Sequence, residues 1–147
     1  MSTDAEIEQR VRESFARQQA MTTIGAVLDE VRAGEVRIRL PYDAKLTQQH
    51  GFIHAGVIAM IADNSCGYAA LSLMPEDAAV LTTEFKLNLL SPAGGDHLVA
   101  HGRVVRPGRK LMVCLAEVFS HEGARVKQVA LMTASMMVME AATGLRD

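Results

Sequence analysis

The feature that most constrains this chain is an apolar stretch of about twenty residues, AGVIAMIADNSCGYAALSLM, beginning at position 55. A surface helix needs a polar face, whereas this stretch is apolar on every side, which indicates a buried helix. Its one charged side chain is Asp63, and a buried carboxylate without a partner is costly unless its pKa shifts. The sequence therefore predicts a central helix at residues 54–74, in which Asp63 requires an explanation.

Composition narrows the class of protein. A chain of 147 residues suits a single domain, residues 1–147, and its formal net charge of −2 gives no reason to expect a nucleic-acid or membrane partner. The two cysteines, Cys66 and Cys114, lie in apolar runs, which favours reduced core thiols over a disulfide. The polar, acidic first ten residues do not resemble a secretory signal peptide. These features predict a cytoplasmic protein.

The first twenty residues predict a surface helix. Ile7, Val11 and Phe15 recur at intervals of four and form one apolar stripe on an otherwise charged segment. Either Ser2 or Thr3 can cap its first turn, because hydroxyl side chains accept hydrogen bonds from the free amides there.

Strands account for most of the remaining chain. Residues 26–28 and 35–40 predict a hairpin, since apolar and charged side chains alternate in the second of these segments. After the central helix, turns rich in Pro, Gly and Asp separate four further strand-like runs. These runs are residues 80–90, 97–106, 110–120 and 125–138. The last could also be helical, but its β-branched residues favour a strand. This order predicts an α+β fold, with a curved antiparallel sheet of about six strands around the central helix.

Several motifs surround the start of the central helix. The loop before it reads QQHGFIHAG at positions 48–56, and Asp63 and Asn64 follow on the helix. Residues 82–96, TTEFKLNLLSPAGGD, and the turn RPGR at 106–109 complete the pattern. Together these residues resemble the PaaI-like branch of the hotdog-fold acyl-CoA thioesterases, in which Gly-x-x-His-Gly-Gly precedes a helix that carries an acid. The similarity extends over about residues 20–140. Two positions differ: Ala55 replaces the first glycine of the pair, and Gln48 stands where the family often has Asn.

The resemblance implies a hydrolase that cleaves an acyl thioester to a free acid and a thiol. Asp63 would act as a general base on water or as the nucleophile, and the residues leave this choice open. The backbone amides of Ala55 and Gly56, at the start of the helix, would stabilise the oxyanion. Alanine retains the N–H group that this role requires.

Other residues would support this chemistry. Three residues, Gln48, His54 and Thr82, are expected to assist the hydrolysis. We interpret His54 mainly as a residue that fixes the start of the helix. In a regular strand, Thr82 would share a face with Glu84 and its alternating neighbours. The expected substrate contacts are Phe52, Asn64, Thr83, Arg106, Arg109 and Lys110. The basic residues among them, with Arg103, would meet the phosphates of CoA.

The spacing of Ala55 and Asp63 predicts a subunit interface. Eight residues of helix separate them by about 12 Å along the axis. One carbonyl carbon cannot lie within about 3 Å of an attacking group and also bind the distant amide. If both residues act on one substrate, they should come from different subunits of a two-fold dimer. The resemblance implies the same homodimer, often paired again as a homotetramer.

Alternatives from other classes stay open at this point. A non-hydrolytic protein that binds acyl-CoA or a fatty-acyl ligand could use the same fold. The replacement of the first glycine by Ala55 is the feature that leaves this hypothesis open. A dehydratase is less favoured, because its usual pairing of His with an acid is not evident. No cofactor is predicted, and His50, His54 and Asp63 lack the spacing of metal ligands. Neither the acyl group nor the carrier, CoA or acyl carrier protein, follows from the sequence.

Overall fold

A computed structural model describes residues 1–147 of the chain. Its helices are α1 (Asp4–Arg17), α2 (Gln19–Ile24) and α3 (Ala55–Leu71). Its strands are β1 (Val27–Arg32), β2 (Glu35–Pro41), β3 (Ala79–Leu89), β4 (His97–Pro107), β5 (Leu111–Glu122) and β6 (Arg125–Met139). They form one antiparallel sheet in the order β1-β2-β4-β5-β6-β3. The predicted α+β class and six strands are confirmed, and the arrangement is the hotdog fold. No helix is both long enough and apolar enough to cross a membrane.

Helix α3 is buried against the sheet, as its composition predicts. It packs against five of the six strands and contributes fully buried Ile61, Ala62 and Cys66 to the core. Strand β4 approaches it closely at Gly102, where a Cβ atom would lie 2.4 Å from the carbonyl oxygen of Ser65. Only glycine fits this crossing.

Helix α3 ends at Leu71, three residues before the predicted end at Met74. The amides of Leu73 and Met74 bond to carbonyls three residues earlier, so the last turn tightens into a 3₁₀ geometry. The Arg10 guanidinium of α1 donates to the carbonyls of Leu71, Met74 and Ala78 and so satisfies this end of the helix.

The N-terminal segment forms two helices rather than the single predicted one. Thr3 caps α1, and Glu6 completes a capping box by accepting from the backbone amide of Thr3. At Gln18 the backbone is extended, with φ −82° and ψ 97°, and this interrupts the helix before α2 begins. Gly25, with φ 78°, ends α2 in the left-handed conformation that glycine favours.

Strand β3 lies at the edge of the sheet and contains a β-bulge. Thr82 pairs with Met136 of β6, but the next paired residue is Glu84, which leaves Thr83 as the extra residue. Because one extra residue reverses the alternation of side chains, Thr82 faces α3 while Glu84 does not. The prediction that these two side chains share a face is therefore wrong.

Candidate active site

The Asp63 carboxylate is held by a single hydrogen bond. Its Oδ1 accepts from the Thr82 hydroxyl at 2.7 Å, and Thr82 Oγ1 lies 3.3 Å from the sulfur of Met136. No Lys, Arg or His forms an ion pair with Asp63. Burial raises the pKa of Asp63 above the usual carboxyl range, and the hydrogen bond from Thr82 opposes that rise. A half-buried acid with a raised pKa and no cationic partner is typical of a catalytic base.

Asp63 opens into a pocket of about 200 Å³, which we call the acid pocket. The polar residues that line it are Gln18, Asp63, Asn64, Tyr68, Thr82 and Asp147. The sequence predicts Asp63, Asn64 and Thr82 as functional residues, and the structure brings these three together. It adds Gln18 and Asp147, which lie far from the motif in the chain and carry no local signal of a function. The nearby Cys66 is fully buried, and burial raises the pKa of its thiol, so it is a core residue rather than a nucleophile.

The first turn of α3 presents one free amide. His54 is the N-cap, and its Nδ1 accepts from the Gly56 N–H at 2.8 Å. The amides of Val57 and Ile58 both bond to the His54 carbonyl. The Ala55 N–H is left without a hydrogen-bond partner in the chain. The prediction that Gly56 also offers a free amide is wrong, because the His54 side chain occupies it.

The geometry also explains why position 56 is glycine and why position 55 tolerates alanine. A Cβ atom on Gly56 would lie 3.1 Å from His54 Nδ1, so glycine here lets the imidazole approach the backbone closely. Ala55 occupies the first helical position, and no residue other than glycine has a positive φ. Its methyl group therefore causes no backbone strain, and the replacement of glycine leaves the N–H intact.

The Ala55 amide lies beside a second pocket, of about 560 Å³, which we call the amide pocket. Gln48, Phe52, His54, Ala55, Leu89 and Leu90 are among the residues that line it. Gln48 Oε1 accepts from the amides of His50, at 2.6 Å, and Phe52, at 3.4 Å. The side-chain oxygen of Gln48 therefore holds the loop in shape, and the NH₂ group of the same side chain has no hydrogen-bond partner in the chain.

Not all of the predicted residues lie at these pockets. Thr83 is the bulge residue, and its hydroxyl donates to the Ser135 carbonyl at 3.1 Å. It lines neither pocket, and its contact with substrate stays a prediction. Arg106, Arg109 and Lys110 lie at the β4–β5 hairpin, outside both pockets and without an ion pair.

The basic hairpin is nevertheless at the acid-pocket end of the sheet. The Lys110 carbonyl accepts from the amide of Val138, and Val138 pairs with Val80, which lines the acid pocket. Two strand spacings, about 10 Å, therefore separate the hairpin from Val80.

Within one copy of the chain, the two pockets are separate. They share no lining residue, and Ala55 and Asp63 are about 12 Å apart along the helix axis. A single copy therefore presents an acid in one pocket and an unpaired amide in another.

Known proteins share this architecture. Residues 50–127 match the family model of the thioesterase superfamily. A thioesterase family protein from Silicibacter pomeroyi is 48% identical in sequence, and its crystal structure superposes with a TM-score of 0.90 over 91% of this chain and 98% of that one. The PaaI protein from the phenylacetic acid degradation operon of E. coli shares the fold, with a TM-score of 0.83 at 20% identity over 92% of this chain and 95% of that one. A curated protein of Halobacterium salinarum, whose name proposes an esterase, is 36% identical over 93 residues, which are 60% of this chain and 61% of that relative.

Proposed function

Because the chain belongs to the thioesterase superfamily, we propose that it hydrolyses acyl-CoA thioesters at a site shared between two copies. The observation that carries this proposal is the Asp63 carboxylate, which is half-buried, bonded only to Thr82 and open to a pocket. An acid in that setting accepts a proton more readily than an ordinary carboxylate, because burial favours its protonated form and raises its pKa.

The proposed reaction uses Asp63 and the Ala55 amide on opposite sides of the thioester. Asp63 accepts a proton from water while the water oxygen attacks the carbonyl carbon, and the Ala55 N–H stabilises the oxyanion. The C–S bond then breaks, and the leaving thiolate takes the proton from Asp63. Alternatively, Asp63 attacks the carbonyl carbon itself, the C–S bond breaks to release the thiolate, and a mixed anhydride forms. Water then hydrolyses the anhydride to the free acid and the Asp63 carboxyl group, and the proton that Asp63 gives up as its carboxylate is regenerated goes to the thiolate.

The edge strand β3 supports a dimer that would join the two pockets. Leu81, Phe85 and Leu89 are 46–53% exposed on this unpaired edge, which is unusual for large apolar side chains. If two copies of β3 pair antiparallel about an axis between Phe85 and Lys86, Thr82 lies opposite Leu89 of the second copy. Because Thr82 lines the acid pocket and Leu89 the amide pocket, this register would place Asp63 near Ala55 of the second copy.

CoA is the proposed carrier because of the basic hairpin. Arg106, Arg109 and Lys110 are free of ion pairs and lie at the same end of the sheet as the acid pocket. Free guanidinium and ammonium groups are suited to bind the phosphates of CoA.

Release of free thiol from a panel of acyl-CoAs, followed with a thiol reagent, tests the proposal. We expect turnover by the wild-type protein and a loss of about 10²- to 10⁴-fold in kcat for Asp63→Asn, the range typical of a lost general base. Asp4→Asn, which removes an exposed carboxylate of α1, is the matched control and should retain the full rate. Saturable binding of acyl-CoA without turnover would instead identify a binding protein. An Asp63→Asn variant of full activity would exclude the mechanism.

A further inference from the structure

The hydroxyl of Thr82 has two hydrogen-bond acceptors within reach. Its Oγ1 is 2.7 Å from Asp63 Oδ1 and 3.3 Å from the sulfur of Met136. A hydroxyl carries one proton, so Thr82 can donate to only one of these acceptors at a time. A carboxylate is the stronger acceptor and a thioether sulfur the weaker one. While Asp63 is ionised, Thr82 therefore donates to Asp63 and leaves the sulfur without a donor.

The sheet holds Met136 in this place. Met136 is fully buried on β6 and pairs with Thr82 of β3 and with Met112 of β5, so the three side chains form one row on the face toward α3. The bulge at Thr83 brings Thr82 into this row, because the extra residue reverses the alternation of side chains along β3. Thr82 is the only residue that hydrogen-bonds to the Met136 sulfur. The sulfur is thus a fixed acceptor with no competing donor in the chain.

We propose that Met136 is a positioning residue whose sulfur accepts the Thr82 hydroxyl while Asp63 carries the proton taken from water. This inference rests on the proposed function, in which Asp63 takes that proton and later gives it to the leaving thiolate. In the protonated state, the Asp63 O–H donates to Thr82 Oγ1, and the Thr82 O–H donates to the sulfur. When the thiolate takes the proton, Thr82 turns back and donates to the carboxylate. Thr82 keeps its own proton throughout, because only the direction of its O–H bond changes.

This arrangement fixes the sign of one pKa change. The sulfur accepts from Thr82 only when Asp63 is protonated, so it stabilises the protonated form of the acid. Met136→Leu removes the acceptor at similar volume and should therefore lower the pKa of Asp63. If the sulfur acted only as a polarisable neighbour of the charge, its loss would disfavour the carboxylate and raise that pKa. The direction of the change therefore separates the two roles.

Other titratable groups do not account for such a change. Those around Asp63 are Tyr68, Asp147, Cys66 and Cys114, and no Lys, Arg or His lines the acid pocket. Burial raises the pKa of Tyr68 and of both thiols, so these three groups stay protonated where Asp63 ionises. The hydrogen bonds of Asp147 involve neither Thr82 nor Met136. A substitution at Met136 therefore leaves the charges around the acid as they are.

The acid limb of the pH profile of kcat/KM, followed by thiol release from an acyl-CoA, tests the proposal. We expect Met136→Leu to move this limb to lower pH by about half a pH unit, the size that one weak hydrogen bond supports. It should also lower kcat about two- to fivefold. Met132→Leu is the matched control, because Met132 is an equally buried methionine of β6 that pairs with Leu87 instead of Thr82. Its acid limb should coincide with that of the wild type.

A double variant tests whether Thr82 connects the sulfur to the acid. In the Thr82→Val background, Met136→Leu should move the acid limb no further, because the hydroxyl that joins the two groups is absent. An equal shift in that background would overturn the proposal, since the sulfur would then act without the hydroxyl.

The position of the limb also separates positioning from a structural defect, which lowers kcat/KM at every pH without moving the limb. If the limb of Met136→Leu coincided with that of the wild type, water rather than the sulfur would accept from Thr82, and the proposal would be overturned. A limb at higher pH would overturn it too. In each of these cases Asp63-dependent release of thiol would leave the proposed hydrolysis standing. Absence of turnover with every acyl-CoA would overturn both.

Discussion

The Thr82 hydroxyl is the only side-chain donor to the Asp63 carboxylate, and the proposed mechanism needs that carboxylate in its charged form. A donor stabilises the charged form and lowers the pKa of Asp63, so Thr82→Val should raise this pKa further above the ordinary range. The acid limb of the pH profile of kcat/KM should then move to higher pH. Steady-state thiol release across the pH range measures this shift.

Thr83→Val provides the control for that experiment. The Thr83 hydroxyl bonds to the Ser135 carbonyl rather than to Asp63, so its removal should leave the acid limb in place. If Thr82→Val also left the limb in place, Asp63 would not be the group whose ionisation limits the rate.

Individual site residues differed in how far the sequence could predict them. Asp63 was identifiable because a lone charge in an apolar helix is costly, and the motif before α3 identified Ala55 and His54. The sequence could not predict that the Gly56 amide is already hydrogen-bonded, because this bond depends on the orientation of the His54 ring. Gln18 and Asp147 reach the pocket only through tertiary packing, which no local pattern encodes.

At the start of helix α3, a substitution by proline can remove the backbone N–H of Ala55 and still leave an apolar side chain at that position. Proline is well tolerated at the first helical position, and His54, with φ −60° and ψ 138°, already has the extended backbone that precedes proline. Ala55→Pro therefore deletes the free N–H while the helix is retained. We expect a loss of about 10²- to 10³-fold in kcat, as for other lost oxyanion donors. Ala55→Gly keeps the N–H and should keep most of the rate, and circular dichroism checks that both variants fold. Full activity of Ala55→Pro would exclude this amide from catalysis.

The crossing of α3 over β4 gives a prediction about stability. A Cβ atom at Gly102 would lie 2.3 Å from the Ser65 carbonyl carbon, so Gly102→Ala forces the helix and strand apart. We expect it to lower the free energy of unfolding by about 1–3 kcal/mol or more, measured by urea denaturation. Gly67→Ala is the matched control, because no heavy atom lies within 4 Å of its added Cβ. It should raise stability by about 0.5–1 kcal/mol, since alanine favours a helix. Equal effects of the two substitutions would contradict this packing.

At the level of helices and strands, the sequence predicted which elements form better than how they are interrupted. Apolar periodicity located α3 and the strands to within a few residues, and β6 was correctly read as a strand despite its many Met and Ala residues. The bulge at Thr83 was missed because it arises from pairing between β3 and β6, which are far apart in sequence. The break at Gln18 was missed because the flanking residues are good helix formers.

The arrangement of the whole molecule follows from one rigid helix. A helix of 17 residues fixes the separation of Ala55 and Asp63, and no rearrangement short of unfolding brings them to the same carbonyl in one copy. The exposed apolar edge of β3 offers a way to bring the acid pocket of one copy against the amide pocket of another. Catalysis would then require self-association, because each active site would need residues from two copies of the chain.

Mixing two inactive variants distinguishes a shared site from a site within one copy. In a hybrid dimer of Ala55→Pro and Asp63→Asn, one shared site carries both substitutions, whereas the other combines intact Ala55 with intact Asp63. Random reassociation gives hybrids in about half of the dimers, each with one of two sites restored, so about a quarter of the wild-type activity should return. Differently tagged subunits, unfolded together and refolded, allow the hybrid to be isolated and its thiol release measured. If Ala55 and Asp63 act within the same copy, every site in the hybrid carries one substitution. Activity would then stay at the level of the separate variants, and the shared site would be refuted.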